Sequence, residues 1–241
     1  MKIKWYEKVM IGLFTFFLII ITIWLTVVPI TKSKAFYMFE YKKNDTVNET
    51  GYTTNELSII TDKMIAFLFN KTDDMQVLIN DEIVFSNQAL YHMRDVRTLY
   101  TGGQIIGWIV LVFWLAIGVY LVMHFKRLRP HLLKYSLIVL LIIFVVLLIA
   151  GIFAMVDFNT AFDVFHRIIF PDAQKYDDAF CGPVSNYDEL PGVDNLMLIK
   201  ILSIGLFMDV GLIIGVVLFI VLIAWFITCI VLRKKYKPII E

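Results

Sequence analysis

Four long apolar segments constrain this chain more than any other feature of its sequence. They cover about residues 9–30, 104–125, 131–153 and 204–232, and the stretch 138–152 carries no charged residue. Each segment is long enough to cross about 30 Å of hydrocarbon at about 1.5 Å per residue. Because only a helix satisfies its own backbone hydrogen bonds in such a segment, the sequence predicts four transmembrane helices.

The basic residues predict the orientation of these helices. They cluster before the first segment, between the second and third, and after the fourth: Lys2, Lys4, Lys8; Lys126, Arg127, Arg129, Lys134; Arg233, Lys234, Lys235, Lys237. Positive charge accumulates on the cytoplasmic side of membrane proteins, so both termini are predicted to be cytoplasmic. The first segment is too long for a signal peptide and lacks a small-residue cleavage site, so we expect it to remain as a helix.

The predicted fold is an all-α membrane protein with four transmembrane helices and a small mixed α+β extracellular cap. We divide the chain into an N-terminal tail with the first transmembrane helix (1–30), the cap (31–103), two transmembrane helices joined by a basic cytoplasmic loop (104–153), a second extracellular segment (154–203), and the fourth helix with a basic tail (204–241).

The cap segment contains recognisable helix and turn signals. Thr53 and Glu56 form a capping box ahead of apolar residues at helical spacing. Residues 75–85 are typical of two short strands around an Asn80-Asp81 turn. Ser86 is expected to cap a second helix over 87–100, which Gly102-Gly103 should end before the next transmembrane segment.

The second extracellular segment contains one clear helix signal. Asn159 or Thr160 is expected to cap this helix, and Pro171 to end it. The polar stretch that follows shows no regular pattern.

Two of the four histidines stand out. His92 and His166 each have an aspartate three residues away, Asp95 and Asp163, which places each pair on one helix face. An aspartate can fix the tautomer of an imidazole and raise its basicity. Spacing alone leaves two alternatives open: plain surface pairs, or an ion pair between Asp163 and Arg167. His124 and His131 lie among basic residues and are interpreted as interfacial.

Other chemistries lack support in the sequence. There is no nucleophile elbow, no His-x-x-x-His metal pair and no glycine-rich phosphate loop, so we expect no metal or cofactor. The net charge of +1 gives no reason to expect nucleic acid. Cys181 and Cys229 are predicted to lie in different compartments and not to form a disulfide.

Two motifs resemble those of a known family. The sequence Tyr-His-Met-Arg-Asp-Val-Arg at 91–97 resembles the His-Met-x-Asp-Val motif of the lipoprotein intramolecular transacylases. The segment 162–170, which contains His166, resembles the family's second histidine motif. The four-helix plan is also similar. One departure is Tyr176, which stands where family members often have a tryptophan.

This resemblance implies a function. The family moves an acyl chain from the sn-2 ester of the diacylglyceryl group on a lipoprotein's N-terminal cysteine to the α-amino group of that cysteine. The product is an N-acyl S-monoacylglyceryl lyso-lipoprotein. His92 and His166 would be the catalytic residues, and the partners would be a diacylglyceryl lipoprotein and membrane lipid. The implied location is the plasma membrane of a bacterium, with an oligomeric state left open.

The implied reaction suits two histidines. An α-amino group has a pKa near about 8 and must lose a proton before it attacks an ester. One imidazole can take that proton and the other can assist the ester and the departing oxygen, and their order stays open. Asp95 and Asp163 would orient the rings. Candidates for substrate contact are Phe36, Tyr37, Phe39, Tyr91, Met93, Arg94, Arg97, Phe162, Phe165, Arg167 and Phe170.

A different class of function remains as the alternative. The chain could be a non-enzymatic envelope protein that binds lipid or a partner through its cap. Transport is disfavoured, because Asp209 is the one acidic residue in the apolar segments and a transport path needs polar groups at mid-membrane,.

Overall fold

The computed structural model describes residues 3–169 and 196–234. In those residues the chain forms nine helices and one two-stranded sheet. Their bounds are α1 Trp5–Lys32, α2 Lys34–Lys43, α3 Thr46–Thr50, α4 Thr54–Leu68, β1 Leu78–Ile79, β2 Glu82–Ile83, α5 Asn87–Met123, α6 Phe125–Val156, α7 Phe158–Ile169, α8 Met197–Ile201 and α9 Ile204–Lys234.

Four of the helices are long and apolar enough to cross a membrane. They are α1, α5, α6 and α9, with 28, 37, 32 and 31 residues. Each corresponds to one of the four predicted segments, although α5 ends two residues before the predicted end at 125, so the prediction of four long apolar helices is confirmed. The chain divides into two compact units, one from Met1–Val27, Gln104–Ile152 and Ile213–Glu241, the other from Val28–Gly103 and Phe153–Leu212, as far as these residues are described.

Polar and aromatic contacts join the helices of the first unit. The ring of Phe14 stacks on Trp114 with centroids 4.8 Å apart and contacts Trp225 at 5.3 Å. The Ser136 hydroxyl is 2.9 Å from the Thr15 hydroxyl and accepts a hydrogen bond from the Trp225 indole at 3.3 Å. One serine thus connects α1, α6 and α9, which is a common way to join helices where no hydrophobic effect drives them together.

A buried acid stabilises the first turn of α1. Glu7 has no exposed surface, pairs with Arg127 and accepts a hydrogen bond from the Tyr120 hydroxyl at 3.1 Å. Both partners are needed because burying a carboxylate costs desolvation free energy, which an opposite charge and hydrogen bonds offset. Arg127 is therefore a structural partner as well as one of the basic residues used to predict orientation.

The second unit includes the predicted cap 31–103 and is called the cap from here on. It has its own hydrophobic core. Residues from α2, α4, the hairpin, α5, α8 and α9 contribute to it. The predicted capping box is confirmed: the Glu56 N–H donates to the Thr53 hydroxyl at 3.3 Å and the Thr53 N–H donates to Glu56 at 2.7 Å. The apolar stripe of α4 is buried as its spacing predicts.

The hairpin is confirmed but is shorter than predicted. Leu78 pairs with Ile83 and Ile79 with Glu82. Asn80 and Asp81 form the turn with φ of 52° and 65°, as a two-residue hairpin turn requires,. The pairing does not extend to Phe85 because the Gln76 side chain occupies its backbone groups, accepting from its N–H at 3.1 Å and donating to its carbonyl at 2.8 Å.

Two predicted helix boundaries are wrong. Ser86 caps α5 as expected, since its hydroxyl accepts from the Ala89 N–H at 3.2 Å, but the helix continues through Gly102-Gly103 to Met123. A glycine costs a helix only about 1 kcal/mol, less than the backbone hydrogen bonds that a break would leave open beside the apolar segment.

The second wrong boundary is the start of α7. Asp157 caps this helix by accepting from the Thr160 N–H at 3.0 Å, so neither Asn159 nor Thr160 is the cap. A carboxylate at this position also complements the positive end of the helix dipole. Pro171 lies outside the described residues.

Gly107 offers a test of helix packing in the first unit. A Cβ at this position would lie 2.5 Å from Cδ2 of Trp24, whereas a Cβ at Gly103 would meet nothing within 4 Å. We expect Gly107→Ala to destabilise the protein by about 1–3 kcal/mol through overpacking. The matched Gly103→Ala should not lower the Tm. Thermal unfolding in detergent, followed by tryptophan fluorescence, measures both, and equal Tm values would contradict the packing.

Candidate active site

Two helices of the cap bring His92 and His166 together. His92 lies near the start of α5 and His166 near the end of α7, far away in sequence. Their ring centroids are 6.0 Å apart and the ring planes meet at 31°. Both residues are partly buried. The structure therefore brings together the two imidazoles that the sequence motifs single out.

His92 lies in the portion of α5 that belongs to the cap, ahead of the segment that begins at Gln104. Burial, and to a smaller extent the neighbouring His166, lower the pKa of His92 to about 4. Both effects disfavour the charged imidazolium. The ring is therefore neutral near neutral pH, with one nitrogen that donates and one that accepts.

The backbone fixes the tautomer of His166. Its Nδ1 lies 2.9 Å from the carbonyl oxygen of Phe162, one turn earlier in α7. A carbonyl oxygen can only accept, so Nδ1 carries the hydrogen and donates it. The other ring nitrogen, Nε2, then carries the lone pair of the neutral ring.

Aromatic rings surround His166. The Phe162 ring lies 4.0 Å from the imidazole centroid and the Phe165 ring lies 5.6 Å from it, nearly perpendicular. Phe162 also contacts Phe158 at 5.7 Å and Phe207 at 5.3 Å. Phe207 was missed in the sequence, because nothing in the apolar segment containing it distinguishes it from its neighbours.

The two aspartates differ in their surroundings. Asp163 forms an ion pair with Arg167 at 3.0 Å, and both side chains are more than half exposed. This contact favours the alternative in which Asp163 pairs with Arg167. Asp95 is partly buried on the same helix as His92, three residues further along.

The candidate arginines have separate environments. The Arg94 guanidinium lies 5.1 Å above the exposed ring of Tyr91, which leaves both on the surface near His92. Arg97 instead binds the cap, donating to Asn70 at 2.6 Å and to Asp73 at 2.9 Å. These two contacts give Arg97 a role in packing the end of α4.

Other candidate contacts divide by burial. Phe36 is partly buried and Phe39 is exposed, so both have accessible surface. Tyr37 and Met93 are 6% and 1% exposed and belong to the hydrophobic core of the cap. These two side chains therefore pack between the surrounding helices of the core. Three positions lie outside the described residues: Phe170, Tyr176 and Cys181.

A buried acidic group links α2 to α9 in the cap. Glu40 is almost fully buried and accepts from the Asn44 amide at 3.0 Å, while Lys43 pairs with Asp209. Burial raises the pKa of Glu40, and its hydrogen bond with Asp209 adds to the rise. In the described parts of the chain, no three His, Cys, Asp or Glu side chains come together as a metal site.

Comparisons with known proteins match this chain to one family. The family model described as "Lipoprotein intramolecular transacylase Lit" matches residues 10–175. A search of curated proteins found no match. A solved structure of the membrane-integral lipoprotein intramolecular transacylase Lit from Bacillus cereus is similar, with a TM-score of 0.70 at 17% identity over 95% of this chain and 97% of that chain.

Two further structures of the Bacillus cereus protein, each with one histidine substituted, are also similar. The arginine variant has a TM-score of 0.67 at 16% identity over 95% of this chain and 93% of that chain. The alanine variant has a TM-score of 0.68 at 16% identity over 95% and 94%. At these identities the structures show a shared fold, and the family model covers more than half of the chain. The chain therefore belongs to the lipoprotein intramolecular transacylase family.

Proposed function

We propose that this enzyme moves the sn-2 acyl chain of a diacylglyceryl lipoprotein onto the α-amino group of the same N-terminal cysteine. The observation that carries the proposal is the contact between His92 and His166, whose rings lie 6.0 Å apart. The family supplies the general activity, and the histidine pair supplies two groups that can hold and transfer a proton,.

His166 acts as the base. Its Nδ1 donates to the Phe162 carbonyl, so Nε2 holds the lone pair of the neutral ring. The α-amino group enters the step as the neutral amine, its ammonium form having already lost a proton to water. The amine forms a C–N bond to the sn-2 carbonyl carbon and keeps one of its two hydrogens, while Nε2 takes the other as a proton. The C–O bond to the glyceryl oxygen then breaks, and the imidazolium gives that proton to the glyceryl oxygen. Atoms and charge balance without a covalent acyl-enzyme.

His92 assists as a neutral hydrogen-bond donor. Its low pKa keeps a neutral N–H, which can bind the negative oxygen of the tetrahedral intermediate,. A neutral His92 also places no positive charge beside the imidazolium that forms on His166 during the step, where like charges would repel.

Confinement provides the rest of the rate enhancement. Donor and acceptor belong to one substrate, and attack requires its head group to fold into a ring. The rings of Phe162 and Phe165 beside His166 can restrict that head group, and such orientation is worth several kcal/mol in comparable reactions, up to about 7–11,. Phe36, Phe39 and Tyr91 are further contacts, with Arg94 and Arg167 available to a phosphate or peptide oxygen.

The orientation and the division into segments belong to the same proposal. Both termini lie in the cytoplasm of a bacterium, and residues 31–103 and 154–203 face outward, where mature lipoproteins reside. The three basic clusters support this orientation,. Segments 1–30, 104–153 and 204–241 supply the transmembrane helices. The alternative of a non-enzymatic lipid-binding protein is disfavoured by the family, whose name describes an enzyme.

Substitution of the paired histidines tests the reaction. We expect His92→Ala and His166→Ala each to lower conversion of a diacylglyceryl reporter lipoprotein to its lyso form by about 10²–10⁴-fold, the usual contribution of acid–base catalysis. Mass spectrometry of the reporter's N-terminal peptide measures the conversion.

Two other histidines provide matched controls for that experiment. His124 stacks on Tyr120 and His131 lies near Tyr135, and both belong to the first unit, whereas the pair belongs to the second. His124→Ala and His131→Ala should convert the reporter at the unsubstituted rate. Normal lyso product from folded His92→Ala and His166→Ala would exclude the mechanism.

The low pKa of His92 predicts a pH-dependent stability. An unfolded histidine titrates near about 6.5, whereas His92 in the folded protein titrates at about 4. Between these values the unfolded chain binds a proton that the folded chain does not, so stability falls as pH falls through this range. We expect His92→Gln to make the decrease in Tm shallower. Tm measured in detergent across this pH range checks the expectation, with His124→Gln as the control. If Tm depends on pH equally in His92→Gln and in the unsubstituted protein, the predicted contribution of His92 is contradicted.

A further inference from the structure

The surface of α7 points to a role beyond carrying His166. None of its twelve residues is fully buried, although seven are apolar. An isolated helix of this length is only marginally stable in water, so another surface must cover its apolar side.

Three different faces run along α7, because successive residues are rotated by about 100°. The inner face packs in the cap and is partly buried: Phe158, Phe162, His166 and Ile169. A second face is exposed and polar: Asn159, Thr160, Asp163 and Arg167. The third face is apolar and mostly exposed: Ala161 on it is partly buried, whereas Val164, Phe165 and Ile168 have exposures of 40%, 52% and 71%.

The apolar face of α7 follows closely on exposed apolar residues at the end of α6. Asp157 is the one residue between α6 and α7, and the last turn of α6 ends in the highly exposed Met155 and Val156. The apolar segment of α6 therefore leads directly into α7. A helix with one polar and one apolar exposed face that starts at the end of a transmembrane segment has the pattern of an interfacial helix.

We propose that α7 lies in the membrane surface, with Val164, Phe165 and Ile168 inserted among the acyl chains of the leaflet next to the cap. Its polar face then contacts head groups and water. Phe165, at the edge of this lipid face, contacts the His166 ring, so an acyl chain can reach the histidine pair from the leaflet without crossing water. This last consequence rests on the proposed function, whereas the insertion itself does not.

Site-directed spin labelling tests the insertion without measuring activity. In full-length protein carrying Cys181→Ser and Cys229→Ser, single cysteines are placed by Val164→Cys and Ile168→Cys, with Asn159→Cys and Thr160→Cys as controls on the polar face. Each labelled protein is reconstituted in nanodiscs of phosphatidylethanolamine and phosphatidylglycerol. Power saturation then compares collisions with oxygen, which partitions into hydrocarbon, and with a water-soluble nickel chelate.

The expected result is a reversal between faces. Labels at 164 and 168 should collide more with oxygen than with the nickel chelate, and labels at 159 and 160 should do the opposite. Preference for the nickel chelate at both 164 and 168 would show a water-exposed face and overturn the proposal. Low collision with both reagents there would show that protein covers the face, with the same consequence.

The outcome is separable from the proposed reaction. If 164 and 168 are lipid-exposed while His92→Ala still forms lyso-lipoprotein, the mechanism fails and the interfacial helix stands. If the histidine variants are inactive while 164 and 168 face water, the interfacial helix fails and the mechanism stands.

Discussion

Aromatic contacts on one side of α7 are the interaction on which the site depends. The helix is short, has no fully buried residue and begins one residue after α6. Phe162 holds it by contacting Phe207 at 5.3 Å, and the same ring lies 4.0 Å from His166. Since the backbone of Phe162 also fixes the His166 tautomer, one residue determines the position and the protonation pattern of that imidazole.

The electrostatics of the pair follow from where its two rings lie. His92 is held neutral by burial and by its neighbour, whereas His166 is anchored through a backbone carbonyl. Two identical side chains thus have different surroundings, and in the proposed mechanism this difference lets one bind developing negative charge while the other moves a proton.

Local patterns predicted much of this fold, and long-range contacts account for what they missed. Apolar length alone identified four helices, and the Thr53–Glu56 box and the Asn80-Asp81 turn are local signals that the structure confirms. The predicted helix end at Gly102-Gly103 was wrong because the apolar segment beyond these residues requires a helical backbone. The histidines were found through their aspartate spacing and motif resemblance, but their 6.0 Å approach and the contact with Phe207 join residues that are distant in sequence.

The contact between α2 and the start of α9 has a consequence for charge. Burial and the hydrogen bond with Asp209 raise the pKa of Glu40, which makes its charged form less favourable. The positive Lys43 pairs with the negative Asp209, so opposite charges lie together in this group. Such pairing offsets part of the large desolvation cost of an isolated ion. Two helices that are distant in sequence are therefore joined by polar side chains that compensate one another.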